Sequence, residues 1–149
     1  MHKRILGSAL SLGLWACGVP ATTVVINEVT ASGNDYIELY NASGDTIDLR
    51  GWSLTDGKPE EAGHRFTFTS SASLPTKGFF PLQRGVFRSF DFGLGDDDVV
   101  ILYDQSGLIV DQADYGVGEA SVSWCRTPDG TGFFKSCAAQ TLGRSNAGE

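Results

Sequence analysis

No stretch of this chain is apolar for the roughly 20 residues that a membrane-crossing helix requires. No segment keeps a helical hydrophobic period, and neither an internal repeat nor a low-complexity block occurs. Positive charge is scarce: 11 Lys and Arg stand against 18 Asp and Glu, a formal charge of −7 over 149 residues. Such an acidic chain repels phosphate backbones, so nucleic-acid binding is not expected, nor is electrostatic docking to anionic headgroups. Histidine is nearly absent, with only His2 and His64. A Ser-His-Asp or Cys-His centre would have to use His64, which lies in a polar loop, and no G-x-S-x-G elbow accompanies it. Cysteine is also sparse: neither Cys125 nor Cys137 has a second Cys or a His at zinc-ligand spacing.

What is present favours one all-β domain. Hydrophobic residues make up 41%, with nine Phe, three Trp and four Tyr to fill a core, and the 19 Gly cluster beside Asn, Asp and Ser. Residues 24–57 read VVINEVTASGNDYIELYNASGDTIDLRGWSLTDG, short alternating runs separated by turn residues. Strands are predicted at 24–30, 36–41, 46–49, 52–55, 65–69, 79–82, 99–103, 108–115 and 122–126, with Trp52 in the core. Residues 57–63 and 70–74 read as loops, 86–92 as an irregular Phe-rich cap, and the end as a disulfide-closed tail. Turn signals about every eight to twelve residues are the spacing of a β-sandwich. Asn41, Ser43 and Gly44 suit a turn using side-chain hydrogen bonds and a positive φ, and Pro128-Asp129-Gly130 suits a β-turn.

The first residues belong to a different class. His2-Lys3-Arg4 followed by apolar 5–16 has the form of a signal peptide over 1–16. Leu14-Trp15-Ala16-Cys17 resembles the bacterial lipobox, with Trp15 where a small or aliphatic residue is usual. That resemblance implies a lipidated Cys17 as a membrane anchor, with 17–23 as a linker reaching only about 20 Å, and the domain proper at 24–149. Ordinary cleavage after Ala21 is the alternative, giving a secreted or periplasmic protein; both readings export the chain. Loss of Lys3 and Arg4 takes the basic count from 11 to 9 against 18 acidic residues, a net charge of −9. In an oxidising compartment Cys125 and Cys137 can pair, which leaves Cys17 as the odd thiol that acylation explains; two free buried cysteines are the alternative.

Four blocks in order resemble the lamin-tail domain family. They are Ile26-Asn27-Glu28 with 35–41 (DYIELYN) and 48–54 (DLRGWSL); Phe66-Thr67-Phe68 with 95–103 (GDDDVVILY); 107–111 (GLIVD) through Asp114-Tyr115-Gly116; and 126–133 (RTPDGTGF) with 141–146 (TLGRSN). Tyr36, Arg50 and Leu142 depart from the usual family residues. The resemblance implies an immunoglobulin-like β-sandwich acting as an interaction module, not an enzyme: a protein- or envelope-binding lipoprotein at the cell surface whose partner is unnamed.

Several residue groups are candidates for chemistry. Asp96, Asp97 and Asp98 are carboxylates able to bind Ca²⁺ at one end of the sandwich, although no EF-hand spacing is present and a solvated turn is the favoured reading. If a cation is bound there, the module becomes a glycan- or matrix-binding accessory; otherwise no cofactor is expected. Phe79, Phe80, Arg84, Phe87 and Arg88 form a candidate interaction patch, or else end-cap packing. Glu28 and Glu38 on neighbouring strands could serve acid–base work as a small hydrolase, but with no pocket-marking cluster around them they read as structural carboxylates tied to loop amides or Arg.

Overall fold

A computed structural model describes residues 24–148, so the signal peptide, Cys17 and the 17–23 linker lie outside the described residues. Eleven strands follow in order: β1 (Val24–Thr30), β2 (Tyr36–Asn41), β3 (Ile47–Asp48), β4 (Ser53–Thr55), β5 (Arg65–Thr67), β6 (Ser73–Leu74), β7 (Phe79–Gln83), β8 (Asp98–Tyr103), β9 (Ile109–Tyr115), β10 (Trp124–Thr127) and β11 (Phe133–Ser136). No helix occurs among the described residues. A five-stranded sheet in the order β11-β10-β1-β2-β7 faces a four-stranded sheet in the order β5-β4-β8-β9, with β3 and β6 as a separate pair. All pairings are antiparallel. Ile26, Val29, Ile37 and Leu39 from one sheet meet Leu54, Val100, Leu102 and Ala113 from the other in one core that also holds Trp52, Phe68 and Phe90. This is the all-β sandwich that the alternation and turn spacing predicted, in the immunoglobulin-like form that the family resemblance implied.

Two strands run through segments expected to be irregular. β6 lies in the small-residue stretch 70–74, because Leu74 is fully buried opposite Ile47 even though its neighbours look like loop. β11 lies in the expected tail and pairs with β10 from Thr127↔Phe133 to Trp124↔Ser136. Its Phe134 stacks on Trp124 with ring centroids 6.0 Å apart and carries the Arg126 guanidinium at 4.2 Å. The turn after β2 also departs from expectation, since Gly44 takes no positive φ. Asn41 builds that turn instead, its Oδ1 accepting from Ser43 N at 2.9 Å and its Nδ2 donating to Asp45 O at 2.7 Å. At Gly130 the φ is +71°, and an added Cβ would lie 2.6 Å from the Tyr40 ring, so both backbone and space demand glycine.

All seven residues of β1 are buried, which a strand with one face in water cannot achieve. The second cover is the chain's own end. A disulfide joins Cys125 on β10 to Cys137, and the strap that follows crosses the outer face of the five-stranded sheet. Beyond Glu28 the pairing of β1 with β10 stops. There the Ile26 N–H donates to Asp111 Oδ2 at 2.8 Å, and the Ile26 carbonyl accepts from Arg126 Nε at 2.8 Å. Arg126 Nη2 also grips both Asp111 oxygens at 2.8 and 3.0 Å. One ion pair thus replaces a strand at the seam between the sheets.

Candidate functional site

Glu28 and Glu38 are cross-strand partners on the outer face, both fully buried. The strap supplies their hydrogen bonds. Glu28 accepts from Ser123 Oγ at 2.7 Å, from Thr141 Oγ1 at 2.8 Å and from Thr141 N at 3.0 Å. Glu38 accepts from the Gly143 amide and, at 3.3 Å, from Asn27 Nδ2. The same Nδ2 donates to Asp129 Oδ1 at 3.0 Å, while Asn27 Oδ1 accepts from Gly130 N at 3.0 Å. Burial, reinforced by the Glu28 and Asp129 charges, pushes the Glu38 carboxyl up to about 7. Glu28 is engaged by a backbone amide and two hydroxyls, Glu38 by a backbone amide and the Asn27 side chain, both beneath the strap, so the pair forms a clamp and not an open acid–base site.

A second group of carboxylates lies at one end of the sandwich. Asp98 accepts from Gly57 N at 3.0 Å, Gly95 N at 2.9 Å and Val99 N at 2.8 Å, and Asp96 accepts from Gly118 N at 3.1 Å. Asp97 is exposed. Asp96 and Asp98 therefore order backbone turns, and among the described residues no three His, Cys, Asp or Glu side chains form a metal-binding group. His64 is not simply an exposed loop residue. It is partly buried, with Nδ1 2.6 Å from the buried Asp56 Oδ2, because the β4–β5 pairing, with Thr55 opposite Arg65, sets the two residues side by side. Tyr115 is buried beside this acidic end. Desolvation, then the Asp98, Asp35, Asp56 and Asp96 charges, pushes its phenol upward.

The aromatic middle divides in two. Phe79 pairs with Tyr40 on the outer face, ring centroids 5.0 Å apart, whereas Phe80 meets Phe68 edge-on at 5.7 Å. They separate because neighbours on a strand face opposite ways. Arg84 is also drawn off, its Nη1 3.3 Å from Asp35 Oδ2 and its Nε donating to the Asp91 carbonyl at 3.0 Å. Phe80, Phe87 and Arg88 do come together. The loop after β7 closes through Gly85 N to Phe90 O at 2.8 Å, and the Phe90 ring plugs the core. Thus tethered, it holds Phe87 87% exposed and Val86 49% exposed. Arg88 takes φ +64°, a left-handed conformation that is unfavourable for a residue with a Cβ.

Two cavities flank this loop, sharing Phe80 and Arg88 as walls. The larger, about 520 Å³, is lined by Tyr36, Leu82, Val86, Phe87 and Ser89 and reaches Leu142 of the strap. The smaller, about 260 Å³, lies against Phe66, Phe68 and residues 69–72. The aromatic run signalled Phe87 and Arg88 in the sequence. Nothing local signals Leu142 or Ser89, because only the strap's path and the loop's fold bring them to the cavity.

Against known families, the Lamin Tail Domain model matches residues 19–117. The match covers the strands through β9, and β10, β11 and the strap lie beyond it. No curated protein matches the chain.

Proposed function

This chain belongs to the lamin tail domain family, and from that premise we propose that it is a non-enzymatic binding module, exported and held at the cell envelope through a lipidated Cys17. Its contact surface is the Phe87 loop, and its ligand is a protein or another envelope component. The observation that carries this reading is a large aromatic ring, 87% exposed, held out on a loop whose other end is locked into the core. Exposed rings beside preformed cavities are the usual anchors of protein contacts. A lone odd cysteine after an apolar leader supports the anchor.

Two measurements on the full chain test the two halves. Labelled palmitate should enter the protein and be lost in Cys17→Ala; incorporation that survives the substitution overturns the anchor. Capture of envelope components by the parent should fall at least tenfold in Phe87→Ala, with thermal unfolding unchanged. Undiminished capture removes this loop as the contact surface.

A further inference from the structure

In a chain with 18 acidic residues, 62–90 contain neither Asp nor Glu, yet carry Arg65, Lys77, Arg84 and Arg88. Three of these cations are occupied. Arg65 donates to Ser53 Oγ and lies over the Tyr103 ring, Lys77 donates to the Ala42 carbonyl, and Arg84 meets Asp35. Arg88 has no acidic partner or hydrogen-bond acceptor among the described residues, and its guanidinium rests 5.3 Å from the Phe87 ring centroid. It is also the sole charged residue lining either cavity. Next to it, the Ser89 hydroxyl is buried without a hydrogen-bond partner.

We propose that this surface takes an extended segment of a partner protein in which one carboxylate neighbours a large apolar side chain. The proposal rests on the Phe87 loop being the contact surface and adds what it recognises. The carboxylate fits the Arg88 fork, giving charge-assisted hydrogen bonds where no internal acid competes. The apolar side chain fits the larger cavity, between Leu82, Val86 and Leu142. A smaller neighbour fits the second cavity against Phe66 and Ala72. Because Phe80 and Arg88 wall both cavities, the ligand must cross a ridge, which suits a chain with side chains on either side.

The geometry argues against other occupants. Pro81 sits in the middle of the edge strand β7 and offers no N–H, so strand addition along β7 is interrupted and side-chain anchoring carries the contact. A polyanion such as nucleic acid or an anionic membrane would meet one unpaired cation on a chain of charge −7. A single carboxylate with an apolar neighbour gains the local contact with little long-range repulsion. The positive φ of Arg88 agrees: a strained position is occupied by the residue the ligand needs, not by the glycine the backbone prefers.

The test uses the full chain and the unlabelled peptide acetyl-Gly-Ser-Glu-Phe-Ser-Gly-amide, with analogues carrying Gln for Glu or Ala for Phe, read by isothermal titration calorimetry. The parent should prefer the Glu-Phe peptide over each analogue about tenfold. Arg88→Gln and Arg88→Gly should abolish the Glu-over-Gln preference while keeping the preference for Phe over Ala. Arg88→Gly should also melt higher than the parent, having relieved the backbone. Phe87→Ala should weaken all three peptides. A parent without Glu-over-Gln preference, or an Arg88 variant that retains it, overturns the proposal. Envelope capture that depends on Phe87 then leaves the contact-surface reading standing, whereas capture indifferent to Phe87, with no peptide bound, overturns both.

Discussion

Glu38 occupies the outer face of β2, where an ordinary two-layer sandwich would leave it in water, yet the strap buries it completely. Its carboxyl is held near pH 7 chiefly by loss of hydration, well above the ordinary value of 4.5. The sign of the consequence follows. Below about pH 4.5 the group is protonated in both folded and unfolded chains and adds no penalty. Between 4.5 and 7 the unfolded chain ionises while the folded one keeps its proton, so stability falls as pH rises, and above 7 the full penalty of about 3 kcal/mol applies. Glu38→Gln keeps an acceptor for the Gly143 amide and removes the titration, while Asn27 Nδ2 retains Asp129 as its acceptor. Urea unfolding should therefore place the variant about 2 kcal/mol above the parent at pH 8 and level with it or slightly below at pH 4.5. A constant difference across that range would show that Glu38 does not titrate in it.

At the scale of elements, legibility depended on whether a segment's partner lies within its own local pattern. β1 and β2 were readable to the residue, because their alternation is long and both ends carry turn chemistry. β6 is two residues whose only strand signal is the burial of Leu74, and β11 begins with an exposed Phe133 that breaks the alternation. Neither can be seen before its partner strand is known. Of the candidate site, the Phe87 and Arg88 pair was legible as an aromatic–basic run, but their separation from Phe79 and Arg84 follows from strand parity and from Asp35, 49 positions away. The strap was the least legible element. Its binding residues Thr141, Gly143 and Asn146 look like tail, and their partners Glu28, Glu38 and Asn27 lie more than 100 positions earlier. Asn146 is its key: Nδ2 donates to the Arg126 carbonyl at 2.9 Å and the Asn27 carbonyl at 3.2 Å, while its own N–H goes to Asp129 Oδ1 at 3.0 Å. Asn146→Ala leaves two carbonyls unpaired in the interior and should cost about 2–3 kcal/mol in urea unfolding. Arg144→Ala, an exposed change on the same strap, should stay within about 0.5 kcal/mol. Equal effects of the two would mean that the strap is not part of the cooperative fold.

For the molecule as a whole, charge is distributed so that repulsion outweighs attraction. Among the described residues only two Arg–carboxylate bridges occur, Arg84 with Asp35 and Arg126 with Asp111. Against them stand a buried carboxylate clamp at Glu28 and Glu38, with the half-buried Asp129 beside it, and an acidic end at Asp35, Asp56, Asp96 and Asp98 that surrounds Tyr115. The acid-free stretch 62–90 faces neither problem, which leaves Arg88 free to act outward. Screening should consequently stabilise this protein, the reverse of a fold held by surface ion pairs. Salt shortens the Debye length from about 30 Å at 0.01 M to about 4–5 Å at 0.5 M, which removes most of the repulsion between exposed carboxylates and leaves the buried hydrogen-bonded pairs nearly untouched. At pH 8 the chain carries a charge near −7, and the expected gain on adding 0.5 M NaCl is about 1 kcal/mol, or about 3 °C in Tm. At pH 5, close to the isoelectric point of 4.7, the net charge nearly vanishes and so should the effect. Calorimetric scans of the full chain at the two pH values and two salt concentrations decide it. A salt response of the same size at both pH values would assign the gain to general salting-out of apolar surface, and a loss of Tm at pH 8 would mean that the two Arg bridges outweigh the repulsion of the acidic end.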